Sequence, residues 1–201
     1  MRIILLKPNS PPHKGFLGSN YFTLPNIGIG IIAAILIEEG HEVFIKDPFL
    51  EGMDFEDTLS FILNKKIDIV GITTVSMHYE GALQLAREVK KRRQSTITIL
   101  GGPHFQGIGK ECLEKNAFFD YICVGEGDYL ISDLIKCNFN VHSFSEIAGL
   151  VYRNADGKVV SGGMGVTADL DKLPLPAYAH YPMPLSFYTP AVNNYKRLPT
   201  T

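Results

Sequence analysis

The chain has 201 residues, 45% hydrophobic and 20% charged, with a formal net charge of -2. That length and balance describe a globular unit able to bury one α/β core with some chain to spare. The near-neutral charge gives no electrostatic case for a nucleic-acid or anionic-membrane partner.

Met1-Arg2 leads directly into IILL, too short for the apolar core of a signal peptide, so Arg2 to Leu6 is read as a first strand. The apolar run Ile27 to Ile37 is too short to span a bilayer. Its part from Gly30 to Gly40 reads as a helix stopped by glycine, followed by a second strand, His41 to Asp47. An amphipathic helix over Phe55 to Lys66 leads to the strand IDIVGIT, Ile67 to Thr73. Next come a helix over Glu80 to Arg93, a strand over Thr96 to Leu100, a helix near Ile108 to Asn116 and a strand over Phe119 to Val124. Another helix begins near Asp128. The basic cluster at Lys90 to Gln94 ends a helix, where it complements the helix dipole. Five nearly continuous apolar strands alternating with helices predict an α/β fold, a doubly wound five-stranded parallel sheet with helices on both faces.

The pattern changes after Phe139. Asp156-Gly157 between two alternating segments predicts a β-hairpin. From Val166 onward fall half of the chain's twelve prolines; with its missing donors and fixed φ, this tail is expected to be extended and laid on a partner surface. The expected organisation is a Rossmann-like domain over 1–140, a hairpin extension over 141–165 and a proline-rich linker over 166–201.

Open parallel sheets bind ligands beyond the carboxyl ends of their strands. The segments at those ends are a long one, Lys7 to Gly28, then TTVSMHY (Thr73 to Tyr79), GGPHFQG (Gly101 to Gly107) and GEGD (Gly125 to Asp128). Small residues and hydroxyls recur at all four edges while no acids or bases converge, which suits a cradle for a large flat or extended ligand. Three other readings are weaker. GIGIIA (Gly28 to Ala33) has the G-x-G-x-x-A spacing of a dinucleotide site, with Asp47 ending the second strand, but that fingerprint needs a tight turn directly after strand one. A phospho-acceptor receiver would need acids where Lys7, Pro8 and Asn9 stand. His13, His78 and His104 share the sheet edge but have no carboxylate or cysteine at ligand spacing. Cys112, Cys123 and Cys137, odd in number and widely spaced, suit neither a disulfide framework nor a zinc site, so a cytoplasmic location with reduced thiols is expected.

The hydroxyl-bearing end of strand three, GGPH after strand four, VGEGD after strand five and the tail DLDKLPLPAY (Asp169 to Tyr178) together resemble the cobalamin-binding domain of cobalamin-dependent radical SAM enzymes. The resemblance implies a Rossmann-like fold with the corrin across the carboxyl edge and the nucleotide tail threaded between strand ends. It implies that Thr73, Thr74, Val75 and Ser76 line the tail channel and that Gly101 and Gly102 let the tail pass close to the backbone. Pro103 would continue that wall, with His104 at a corrin amide. Gly125, Glu126 and Gly127 would flank tail or corrin, and Pro25, Asn26 and Gly28 would lie over its edge.

Methyltransferase-type cobalamin domains supply a cobalt ligand from D-x-H-x-x-G after strand one; here His13 has Pro11 before it and Phe16 after it, and no carboxylate stands beside it to orient the ring. The resemblance therefore implies cobalamin held without a protein histidine and with its base displaced. A radical SAM cluster needs C-x-x-x-C-x-x-C, which the three cysteines do not provide. The [4Fe–4S] cluster and S-adenosylmethionine would belong to a further domain beyond Thr201, whose surface the aromatic residues Tyr178, Tyr181, Phe187, Tyr188 and Tyr195 are expected to meet. No catalytic residue and no metal ligand are assigned to this chain. The alternatives are a nucleotide-dependent (NAD-type) Rossmann enzyme and a stand-alone cobalamin carrier or sensor.

Overall fold

The computed structural model describes residues 1–8, 24–166 and 169–188; His13, most of the segment after the first strand, and Tyr195 lie outside them. Strands β1 (Arg2–Leu6), β2 (Glu42–Lys46), β3 (Ile69–Thr73), β4 (Ile97–Gly101) and β5 (Tyr121–Cys123) alternate with α1 (Ile27–Glu38), α2 (Phe55–Asn64), α3 (Tyr79–Arg92), α4 (Gly109–Lys115) and α5 (Leu130–Lys136). The sheet order is β2-β1-β3-β4-β5-β6-β7, with the first five strands parallel. Strand alternation decides the faces. Ile3, Leu5, Ile69, Ile99 and Cys123 pack with α1 and α5, while Ile4, Leu6, Val70, Ile72, Leu100 and Ile122 pack with α2, α3 and α4.

All five expected parallel strands are present, and among the described residues the expected hairpin is not separate from them but extends their sheet to seven strands. The hairpin β6 (Leu150–Arg153) and β7 (Val159–Ser161) joins its edge, antiparallel, through Ile122 opposite Val151. A lone hairpin is marginal in water, and this one carries two residues, Leu150 and Val151, that are fully buried in the shared core. Arg153 fixes the junction by donating to the carbonyls of Phe119 (2.7 Å), Leu113 (2.7 Å) and Asn116 (3.0 Å).

Helix α1 starts earlier than its glycines suggest. Asn26 caps it, accepting from the Ile29 N–H at 3.1 Å, so Gly28 and Gly30 both lie inside the helix and form no tight turn. That removes the structural basis of the dinucleotide fingerprint. The glycine at 30 has another reason: a Cβ there would collide with the Tyr181 hydroxyl and lie 2.8 Å from Pro176 Cβ.

Tyr181 and Pro176 belong to the proline-rich tail, which is neither extended nor free of its own domain. Residues 169–188 make three short 3₁₀ turns and return across α1. The Ala177 N–H donates to the Gly30 carbonyl (3.0 Å) and the Tyr181 hydroxyl to the Asn26 carbonyl (2.7 Å). Tyr181 and Tyr188 are only 9% and 2% exposed, so they bury in this chain and not against a neighbour, whereas Tyr178 and Phe187 remain exposed. The physical cause is α1 itself, whose sequence IGIGIIAAILIE is apolar on every side. Such a helix needs cover on its outer face as well, and the strap supplies it.

Candidate cofactor site

The parallel order 2-1-3-4-5 places a topological switch point between β1 and β3, the place where an open α/β sheet parts to admit a ligand. A cavity of about 350 Å³ opens there, roofed by Ile29 and Ile32 of α1 and by Leu130 and Ile131 of α5. Its base follows from strand register. Leu5 is opposite Gly71 and Gly71 opposite Ile99, forming one row. One step nearer the carboxyl edge, Thr73 is opposite Gly101, with Cys123 beside it. Gly71 leaves a notch between Leu5 and Ile99 that a side chain would fill: a Cβ there would come within 2.7 Å of Leu5 Cδ2.

The structure brings together Asn26, Gly28, Thr73, Gly101, Gly102, Pro103, Gly125, Glu126 and Gly127 on this cavity, joined by Gln106 and Asp128. Pro25, Thr74, Val75, Ser76 and His104 do not line it. Thr74 is 1% exposed and supports the Gly101–Gly102 turn, its N–H donating to the Gly101 carbonyl (2.8 Å) and its carbonyl accepting from the His104 N–H (3.2 Å). Val75 is exposed, and Ser76 Oγ lies 3.1 Å from His104 Nδ1. His104 packs on Tyr79, the rings tilted by 37° with 4.3 Å between centres, which keeps it away from the cavity.

Not every glycine at the strand ends serves a ligand. Gly102 has φ +102° and ψ 174°, a region essentially closed to other residues, and a Cβ there would meet the backbone O and N of Thr74 at 2.7 and 2.8 Å. Gly125, with φ +87°, pairs with Gly165 and has no room for a Cβ beside Met164 (2.7 Å), while one on Gly127 would meet Cys123 Sγ at 2.5 Å. The fold itself therefore demands glycine at 102 and 125, whose φ is positive and whose Cβ would meet backbone, while at 127 only the Cys123 side chain stands in the way. Gly28 and Gly101 are different, since the nearest atoms to an added Cβ lie 3.5 and 3.4 Å away.

Burial pushes the Cys123 thiol up to about 12, so it stays a neutral wall atom. Among the described residues no three His, Cys, Asp or Glu side chains are grouped to hold a metal ion, and all three thiols are free. On the far half of the edge Lys7 pairs with Asp47 at 3.4 Å. There burial and the Lys7 charge hold the His78 imidazole below its ordinary value. A second cavity of about 420 Å³ shares Glu126, Asp128 and Leu130 with the first, but Asp133 and Asp169 make it rich in carboxylates.

Residues 14–135, more than half of the chain, match the B12 binding domain. The chain belongs to the B12-binding domain family. This B12-binding domain is 28% identical over 185 residues to an uncharacterized methyltransferase of Pyrococcus horikoshii, covering 91% of this chain and 39% of that protein. It is 26% identical over 222 residues to the cytidylyl-2-hydroxyethylphosphonate methyltransferase of Streptomyces wedmorensis, covering 90% and 41%. Among solved structures it shares its fold with the cobalamin-dependent S-adenosylmethionine radical enzyme OxsB, solved with aqua-cobalamin and S-adenosylmethionine bound (TM-score 0.71, 19% identity, 88% of this chain and 24% of that one). It is also similar to the radical S-adenosylmethionine methyltransferase TsrM of Kitasatospora setae, solved with cobalamin and a [4Fe–4S] cluster (TM-score 0.61, 18% identity, 87% and 31%). The B12-binding domain thus spans about two-fifths of these two curated relatives and a smaller share of these solved chains.

Proposed function

We propose that this chain is the cobalamin-holding module of a larger radical SAM enzyme. The cavity fits one limb of a corrinoid: its volume is at the low end of small-molecule sites, too small for the macrocycle, and Gly71 opens it where a Cβ would intrude. That cradle at the switch point is the observation that carries the reading. Leu5, Gly71, Ile99, Ile29 and Ile131 would enclose the nucleotide base, and Gly28 and Gly101 would admit the limb past the edge. Leu24, Ile27, Val75 and Met77, all exposed at this same end, would lie under the corrin, offering apolar contact to a ring that brings its own polar rim.

Bound cobalamin supplies the methyl-carrying cobalt, while the protein binds and orients it. With the base lodged in this cavity, the lower face of the cobalt would be left without it, and the tilted contact of His104 with Tyr79 (4.3 Å) and the partial burial of His78 favour a site in which neither imidazole takes its place. The iron–sulfur cluster and S-adenosylmethionine would belong to another domain, and the free thiols fit a reducing cytoplasm. Among the described residues no helix is long and apolar enough to cross a membrane. The test is an absorption titration of the purified chain with hydroxocobalamin. The expected result is one equivalent bound with a base-displaced spectrum that is unchanged in His78→Ala and His104→Ala. Failure to bind, or cobalt bands that depend on either histidine, would overturn the reading.

A further inference from the structure

Resting on that corrinoid reading, we infer that the cavity chooses among corrinoids by their lower base, accepting a benzimidazole and disfavouring an adenine. The deep row of the cavity is Leu5, Gly71 and Ile99, closed from above by Ile29, Ile32 and Ile131. None of these side chains donates or accepts a hydrogen bond. The polar residues of the lining stand nearer the edge, and two of their groups are already committed: Asn26 accepts from the Ile29 N–H with its side chain and from the Tyr181 hydroxyl with its carbonyl. The thiol of Cys123 is neutral and offers only a weak donor.

The two bases differ in what they bring into such a space. Dimethylbenzimidazole presents two methyl groups and one free ring nitrogen once it leaves the cobalt. Adenine presents an exocyclic amine and additional ring nitrogens, each of which loses a water partner on entry and finds no side-chain partner along the deep row of Leu5, Gly71 and Ile99. The discrimination is one-sided, because an apolar wall rejects a polar isostere by up to about a hundredfold. Both bases are two fused rings of the same outline; the two methyl groups add apolar contact for dimethylbenzimidazole, and the polar atoms of adenine add a desolvation cost, so both terms point the same way.

The experiment compares three corrinoids by equilibrium titration against the full chain: cobalamin, its adenine-based counterpart adeninylcobamide, and cobinamide, which lacks the nucleotide tail. Cobalamin is expected to bind at least tenfold tighter than adeninylcobamide, and tighter than cobinamide. Ile32→Asn, which puts an amide on a half-buried part of the roof, is expected to reduce the cobalamin-to-adeninylcobamide ratio at least threefold, with folding checked by thermal melting. Equal affinity for the two cobamides, or for cobalamin and cobinamide, would overturn the selectivity while leaving corrinoid binding standing. An unchanged ratio in a folded Ile32→Asn protein would overturn the assignment to this roof. Absence of binding by all three would overturn the proposed function and the selectivity with it.

Discussion

Two glycines with no free room for a Cβ should respond oppositely to the same substitution. Gly71 sits inside β3, and an added Cβ would press on the far end of one flexible side chain, Leu5 Cδ2 at 2.7 Å, with Ile131 Cδ1 at 3.5 Å. Replacing a strand glycine regains about 0.5–1 kcal/mol, and overpacking costs about 1–3 kcal/mol, so Gly71→Ala should lose no more than about 2.5 kcal/mol. At roughly 2–4 °C per kcal/mol for a chain of this size, a mid-range loss of about 1 kcal/mol lowers the melting temperature by a few degrees and the upper limit by no more than about 10 °C. The methyl and the displaced Leu5 narrow the cavity where the base would lie, so cobalamin affinity should fall at least tenfold, about 1.4 kcal/mol. Gly102→Ala meets backbone at 2.7 and 2.8 Å with φ at +102°, and strain of about 1–3 kcal/mol adds to overpacking of about 1–3 kcal/mol. Its melting temperature should drop by on the order of 10 °C. Calorimetric melting and cobalamin titration of both variants decide the matter. Normal cobalamin affinity in a folded Gly71→Ala protein would refute the cradle, and an unchanged melt for Gly102→Ala would refute the backbone account of that glycine.

Other predictions test the framework around the site. Tyr181→Phe removes the bond to the Asn26 carbonyl and should lower stability by about 1 kcal/mol, read by denaturant unfolding. Gly30→Val should detach the strap more severely, exposing residues near Tyr181 to limited proteolysis. Arg153→Ala strips three carbonyls of a charged donor and should cost about 2–3 kcal/mol, again by denaturant unfolding. Iodoacetamide should modify half-buried Cys137 before Cys112 or Cys123, whose thiols burial keeps protonated; mass spectrometry of the digested protein reads the order. Because the folded state holds His78 below its ordinary value of 6.5, the unfolded chain takes up the proton first as pH falls. The stability this neutral histidine contributes is full above about pH 6.5 and lost below it, so His78→Gln should flatten part of the decline in melting temperature between about pH 7 and pH 5.

The parallel strands were legible because each is a short apolar run bounded by turn residues, and their carboxyl ends marked the edge at which the cavity opens. Gly28, Gly101 and Thr73 were legible for the same reason, each lying at or within two residues of the end of an element. Gly71 was not, although a lone glycine in IDIVGIT is the sequence sign of a close approach inside a strand; being interior, it does not read as part of an edge. The hairpin's attachment depends on Arg153 reaching carbonyls more than thirty positions away, which local periodicity does not encode. The tail's prolines signalled an irregular path but not its destination. That destination was written in α1, whose apolar residues on all sides left a face that something in the chain had to cover.

The most direct measurement is a crystal structure of this chain grown with cobalamin, read for the position of the dimethylbenzimidazole. The base is expected between Ile29 and Ile131, within van der Waals contact of Leu5, Gly71 and Ile99, with no histidine on the cobalt. A base still coordinated to cobalt, or lodged beside Lys7 and His78 on the other half of the edge, would contradict the cradle at the switch point.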